Sequence, residues 1–309
     1  MVAIFLQTLP FFLIIALGFA AAYRGFFPPA ATGYLTKFVF YFALPAMLFR
    51  FSANLTPSEI FDPSVAAAYL CGTLAIYLVA TVVAIIRKIG IEQGAFEAQC
   101  AVIGNVGFLG IPMLAVLMGQ DAVKTVMLVL AIDLIVFGSL IVILITGSRD
   151  GRMSLGVLTT VGRGLMANPM IMAMAAGLLW SVSGITIPAP MNEFLSILGA
   201  AATPGALFAI GCSLAGKSAE RVTVAGWLSF CKLVLHPAAV ALTGLVLIPV
   251  DPYAAAVMIA AAALPVAGNV YILAQHYGVA PSRVSASILI STAVSIGTVS
   301  VVIAWVQNL

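Results

Sequence analysis

The chain has 309 residues, of which 63% are hydrophobic and only 7% are charged. Soluble domains carry about 25% charged residues, so this composition excludes a water-soluble globular protein and predicts a membrane protein. The formal net charge of +3 is small and scattered along the chain, which argues against a nucleic-acid partner.

Apolar runs long enough to cross a hydrocarbon core of ~30 Å follow one another along the chain. They predict an all-α membrane protein with ten transmembrane helices, here called spans 1 to 10. The first run lacks a basic leader and a small-residue cleavage site, so we expect a transmembrane helix rather than a signal peptide. The approximate ranges of the spans are 3–23, 34–52, 64–86, 95–118, 122–146, 166–186, 193–215, 222–248, 252–276 and 283–307.

Basic residues are concentrated in one alternating set of loops and helix ends. Because such residues stay in the cytoplasm, the pattern predicts a multi-pass protein of the bacterial inner membrane with both termini on the extracytoplasmic side. The opposite set holds only Arg50, expected to snorkel to lipid headgroups, and Lys124. The inside-facing set holds Arg24, Lys37, Arg87, Lys88, Arg149, Arg152, Arg163, Lys217, Arg221 and Arg283.

The two halves of the chain contain similar short segments in the same order. Gly104-Asn105-Val106 in span 4 matches Gly268-Asn269-Val270 in span 9, and Leu44 to Phe49 in span 2 is similar to Thr203 to Phe208 in span 7. Five spans per half is an odd number, so the second half must enter the membrane inverted. The sequence therefore predicts a first repeat over 1–146, a basic cytoplasmic linker over 147–165, and an inverted second repeat over 166–309.

Spans 4 and 9 also carry the residues that interrupt helices. Proline and glycine weaken regular helix, and half-helix ends at membrane depth offer N–H groups to an anion. One such span alone is more typical of a kinked helix packed through small residues. Two in matching positions, each with an asparagine, favour a substrate site. Its candidate residues are Asn105, Gly107, Gly110, Pro112, Pro265, Gly268 and Asn269.

Ionisable residues inside spans are functional candidates because they are costly in a membrane. Asp133 lies in span 5, and Lys232 and His236 lie one turn apart in span 8. Two interpretations stay open: an element that couples transport to a proton or another cation, or a fixed structural ion pair between Asp133 and Lys232. Glu97 is expected to be a solvated charge at the cytoplasmic end of span 4.

No zinc-hydrolase, serine-hydrolase or ATP-binding motif occurs, and the cysteines lack metal-site spacing. We therefore expect neither an enzyme nor a metal or cofactor site.

Four segments resemble the auxin efflux carrier family, which includes plant auxin exporters and bacterial malonate-type carriers. These segments are Phe42 to Phe49, Gly104 to Pro112, Ala167-Asn168-Pro169, and Pro265 to Asn269 followed by Ala274 to Gly278. The resemblance implies that broken helices 4 and 9 cross, with Asn105, Pro112, Pro265 and Asn269 at the crossover positions. It also implies a dimerising scaffold of spans 1, 2, 6 and 7, and a mobile unit of spans 3–5 and 8–10 that moves like an elevator.

The resulting expectation is secondary active or facilitative transport of a small organic anion. A malonate-like dicarboxylate is the first candidate for this substrate. The expected partners are this anion, H+ or Na+ as a coupling ion, the lipid bilayer and a second copy of the chain. The alternatives are an anion channel, an exporter of auxin-like aromatic carboxylates, and a membrane sensor without flux. Val270 stands where the plant proteins have a second crossover proline, which weakens an assignment to auxin.

Overall fold

The computed structural model describes residues 2–56, 61–150, 155–215 and 222–309. Arg152, Lys217 and Arg221, which contribute to the predicted orientation, lie outside these residues. The described chain is helical almost throughout. Its helices are α1 Val2–Tyr23, α2 Pro29–Ala53, α3 Pro63–Ile86, α4 Ile91–Val102, α5 Val106–Met118, α6 Ala122–Arg149, α7 Leu155–Ala167, α8 Pro169–Val182, α9 Ala189–Ala215, α10 Val222–Leu247, α11 Pro252–Ala262, α12 Gly268–Tyr277 and α13 Pro281–Val306.

Seven helices of the described residues are long and apolar enough to cross a membrane, namely α1, α2, α3, α6, α9, α10 and α13. An eighth crossing is obtained if α7 and α8, which meet at a bend of 74°, count as one. The predicted multi-pass membrane protein is thereby confirmed. Predicted spans 4 and 9 each appear as two shorter helices, α4 with α5 and α11 with α12, separated by residues 103–105 and 263–267.

Prolines mark the starts of many helices. A proline lies in the first turn of α2, α3, α8, α9, α11 and α13, where its missing N–H costs no helical hydrogen bond. The side chains of Asp62, Asn168 and Asp251 accept backbone N–H groups at the starts of α3, α8 and α11. Asn168, part of the family resemblance, thus has a structural role as a helix cap.

Wide π-helical turns occur inside α2, α5, α6 and α10. Proline lacks a backbone donor and crowds the carbonyl four residues earlier, and one extra residue in the preceding turn relieves this conflict. Three of the π turns end two residues before a proline: Val39–Ala43 before Pro45, Val106–Gly110 before Pro112, and Cys231–Leu235 before Pro237. Pro112, one of the predicted crossover residues, therefore lies inside α5, and span 4 is interrupted only at residues 103–105.

Glycines bring several helices into backbone contact. A Cβ at Gly177 of α8 would lie 2.6 Å from the carbonyl oxygen of Phe49 in α2, and one at Gly18 of α1 would collide with the backbone of Phe208 in α9. These close contacts pair α1 with α9 and α2 with α8. The other helices enclose α4 and α11, whose residues around the interruptions are buried.

Candidate functional site at the two helix interruptions

The two interruptions lie directly against each other. The N–H of Asn105 donates to the carbonyl of Pro265 at 2.8 Å, and the N–H of Ala267 donates to the carbonyl of Ile103 at 3.0 Å. These bonds form one antiparallel bridge between Gly104 and Val266. Unwound backbone in a membrane needs internal partners, and each interruption supplies them to the other. Val266 gains another partner from α13, since its N–H donates to the Ser291 hydroxyl at 3.1 Å.

Asn105 occupies the N-cap position of α5 but does not cap it. Its side chain makes no capping hydrogen bond, it is only 5% exposed, and its Oδ1 atom has no hydrogen-bond partner in the described part of the chain. Asn168, at the same position of α8, accepts from the N–H of Met170 at 3.0 Å. An unpartnered buried oxygen is costly, so the Asn105 side chain does not gain the stability that Asn168 gains from capping.

Asn269 stands in a similar position in the second half of the chain. It is the second residue of α12, whose N-cap residue Ala267 has no side chain able to cap. The Oδ1 atom of Asn269 is also buried and without a partner among the described residues. The first N–H groups of a helix have no acceptor within that helix, so α5 and α12 each combine an N-terminus without a side-chain cap with an asparagine whose Oδ1 has no partner among the described residues.

The remaining predicted site residues have distinct positions. Gly107 faces Leu130 and Met170, and Gly110 packs so closely on Leu264 that a Cβ would lie 2.7 Å from its side chain. The contact with Leu264 therefore requires the absence of a side chain at Gly110, whereas a Cβ at Gly107 would make ordinary contacts, the nearest at 3.4 Å. Pro265 lies within the second interruption. A Cβ on Gly268, the first residue of α12, would meet no atom within 4 Å, so the space beside that residue is open.

The ionisable residues of spans 5 and 8 lie in one buried polar cluster, which α3 completes. Asp133 accepts from the Tyr69 hydroxyl at 2.9 Å, and Thr73 lies 3.0 Å from Nε2 of His236. The Lys232 ammonium lies 3.1 Å from Nδ1 of the same imidazole. Among the described residues, Asp133 and Lys232 do not form an ion pair within 4.0 Å.

Sequence reasoning missed Tyr69, Thr73 and Ser291. Tyr69 and Thr73 are one turn apart on α3 and join α6 to α10. The sequence signal that could have indicated them is a pair of polar residues four positions apart in an apolar span, because this spacing places both on one helix face. Hydroxyl groups are common enough in membrane helices that this signal does not stand out by itself.

The expectation of a solvated Glu97 is wrong. Its side chain is only 2% exposed and binds two arginines, Arg87 at 2.6 Å and the buried Arg283. Arg283 lies in the first turn of α13, far away in the sequence, so a local pattern does not reveal the pair. Arg50 also has a protein partner, since its Nε donates to Oδ1 of Asn192 at 3.0 Å.

An acidic cavity of about 270 Å³ lies away from the interruptions, at the N-terminal ends of α3, α6 and α11. Its aspartates have structural partners: Asp62 and Asp251 cap helices, and Asp121 pairs with Lys124 at 3.2 Å. Burial is slight at Asp62, and the Ser64 hydroxyl together with two backbone N–H groups lowers the pKa of its carboxyl.

Comparison with known proteins covers nearly the whole chain. The family described as "Membrane transport protein" matches residues 3–303. The chain is 28% identical to a "Putative malonate transporter" of Rhizobium meliloti (strain 1021) over 300 residues, covering 95% of this chain and 92% of the relative. It is 26% identical to the "Uncharacterized transporter YfdV" of Escherichia coli (strain K12), covering 92% of each chain. The protein therefore belongs to the auxin efflux carrier family of membrane transport proteins.

Proposed function

We propose that this protein is a secondary transporter that moves a small organic anion across the bacterial inner membrane, with a malonate-like dicarboxylate as the first candidate. The observation that carries the proposal is the pair of helix starts at α5 and α12, which both lack a side-chain cap and each have an asparagine within their first residues or at their N-cap position. Helix N-termini favour negative charge through their free N–H groups and the aligned peptide dipoles.

A dicarboxylate suits this arrangement because it carries two anionic groups. We infer that one carboxylate approaches the start of α5 at Asn105 and the other approaches the start of α12 at Asn269. The amide NH2 groups of both asparagines would donate to carboxylate oxygens. The name of the Rhizobium meliloti relative points to the same class of substrate.

The proposed architecture is that of two inverted repeats of five spans, with α4–α5 and α11–α12 as the crossed fourth and ninth spans. In this proposal α1, α2, α8 and α9 form a scaffold that dimerises, with both termini on the extracytoplasmic side. Helices α3 to α6 and α10 to α13, which correspond to spans 3–5 and 8–10, move as a unit that carries the anion by alternating access. The pairing of α1 with α9 and of α2 with α8 supports this division.

The cluster of Asp133, Lys232 and His236 is the candidate coupling element of this transporter, with H+ and Na+ as the candidate ions. Its position supports this role, because Lys232 also donates to the carbonyl of Ala262 beside the second interruption.

The test is uptake of radiolabelled malonate into proteoliposomes that contain the purified protein. We expect saturable uptake, accelerated exchange when malonate is preloaded inside, and inhibition by other small dicarboxylates. Thermal stabilisation of the detergent-solubilised protein by malonate gives an independent readout of binding. Stabilisation by indole-3-acetate but not by malonate would favour the aromatic carboxylates instead.

Accelerated exchange also separates a carrier from a channel, because only a carrier must return its site across the membrane. Flux that rises linearly with malonate and shows no exchange would overturn the carrier mechanism. Absence of stabilisation and of flux with every carboxylate would overturn the anion assignment.

A further inference from the structure

Lys232 lies at the point where the two helix interruptions meet. Its side chain is 0% exposed, and its ammonium donates to the carbonyl of Ala262, the last residue of α11. A Cβ at Gly104, in the first interruption, would be 3.2 Å from the same nitrogen. The absence of a side chain at Gly104 therefore leaves room for the ammonium between the two broken spans.

The end of α11 is a natural position for a cation. The last carbonyls of a helix lack intrahelical donors, and the peptide dipoles place partial negative charge there. In transporters with discontinuous helices, such carbonyl ends coordinate the coupling cation. Here the carbonyl of Ala262 is already bound to Lys232.

The surrounding groups keep Lys232 in this place. His236, one turn later in α10, lies with Nδ1 3.1 Å from the ammonium, and Thr73 contacts the other ring nitrogen at 3.0 Å. When the ammonium donates to Nδ1, the Nε2–H group donates to the Thr73 hydroxyl. Asp133, the carboxylate whose charge acts on Lys232, is bound by Tyr69 and forms no ion pair with it.

We propose that the Lys232 ammonium is a built-in cation, which occupies the position at the end of α11 where a sodium ion would otherwise bind. This inference rests on the proposed transport function and makes it more specific: sodium is not the coupling ion at this site. Removal of the side chain should expose the carbonyl of Ala262 and create a cation site.

The experiment measures the melting temperature of the purified protein in sodium chloride, potassium chloride and choline chloride at equal ionic strength. For the wild-type protein we expect the same melting temperature in all three salts. For Lys232→Ala and Lys232→Ser we expect sodium to raise the melting temperature by about 2–4 °C over choline, because a ligand that binds only the folded state stabilises it. Lys37→Ala, which removes an exposed lysine of α2, is the control and should show no difference between the salts.

Two results would overturn the inference: sodium-specific stabilisation of the wild-type protein, or variants that fold but do not respond to sodium. The wild-type measurement tests the inference even if both variants fail to fold. The readout requires no transport, so a failure here is distinguishable from a failure of the anion assignment. A variant that gains no sodium response but loses thermal stabilisation by malonate would show that Lys232 serves as an anion ligand instead.

Discussion

The backbone N–H of Asn105 donates to the backbone carbonyl of Pro265, so a residue of the first half of the chain is held by a residue of the second half. The bond fixes the start of α5 beside the start of α12. It also uses the backbone N–H of Asn105, while the side-chain Oδ1 of this residue has no partner among the described residues. The two asparagines therefore belong to a single candidate site rather than to two separate ones.

Replacement of either asparagine by aspartate should impair transport of an anion. Asn105→Asp and Asn269→Asp remove an amide donor and place a negative charge where we expect the substrate carboxylate. We expect kcat/KM for malonate uptake to fall at least about tenfold, equivalent to ~1.4 kcal/mol. The matched control is Asn308→Asp, because the Asn308 amide lies near the chain end and donates to the carbonyl of Ala304. Equal uptake by all three variants and the wild-type protein would refute the proposed site.

Asn105 and Asn168 should differ in their effect on stability, although both occupy N-cap positions. Asn168→Ala removes two capping hydrogen bonds and should lower the free energy of unfolding by about 1 kcal/mol. Asn105→Ala removes an unpartnered oxygen, so the protein without substrate should be as stable as the wild type or more stable. Chemical denaturation of both variants measures this difference. A large loss of stability in Asn105→Ala would mean that its side chain has a structural role.

Loss of the Glu97 charge should be costly. Glu97→Gln leaves the buried Arg283 without its carboxylate partner, and breaking a buried ion pair in this way costs about 3–5 kcal/mol. We expect a marked fall in melting temperature. The comparison is Glu92→Gln, which loses a more exposed pair with Arg149 and should cost less than about 1 kcal/mol. A larger effect of Glu92→Gln would contradict the importance of burial.

The cap of α3 predicts a pH effect. The Ser64 hydroxyl is the main cause of the lowered pKa of Asp62, whose ordinary value is 3.8. A lowered pKa in the folded state contributes stability above the ordinary value, and that contribution is lost as the pH falls through the lowered pKa. Ser64→Ala should reduce this contribution, and should complete its loss at a higher pH than in the wild type. Melting temperatures measured between about pH 6 and pH 2 test this, and superimposable pH profiles would contradict it.

Close packing of α8 on α2 depends on the absence of a side chain at Gly177. A Cβ there would lie 2.6 Å from both the Phe49 carbonyl oxygen and the Ser52 Cβ atom, and backbone atoms cannot yield easily. Gly177→Ala should lower the melting temperature and separate α2 from α8. In Gly226→Ala the new Cβ meets no atom within 4 Å, so we expect no loss of stability or a small gain from helix propensity. Dye-based thermal unfolding of both variants provides the measurement.

Much of the helical framework was predictable because apolar runs and proline starts are local signals. Pro63, Pro252 and Pro281 each open a helix close to the predicted limit. The interruption around Pro265 was also predicted. The short extent of the interruption in span 4 was not predicted, because α5 already begins at Val106 and accommodates Pro112 through a wide turn.

The contacts that build the candidate site were less accessible from sequence. Asn105 and Asn269 were predicted from their matching positions, but the backbone bonds that hold their helix starts together join residues far apart in sequence: Asn105 to Pro265, and Ala267 to Ile103. The burial of Glu97 depends on Arg283, which is distant in sequence. Interactions of this kind follow from helix packing, and the local pattern of residues does not predict them.

The bridge between Gly104 and Val266 has a consequence for how this protein can evolve. A substitution that restored regular helix through one interruption would leave the N–H and carbonyl groups of the other without acceptors or donors inside the membrane. Neither segment can change its backbone path independently of the other. Among related chains, we therefore expect insertions, deletions and new prolines in one segment to be accompanied by compensating changes in the other.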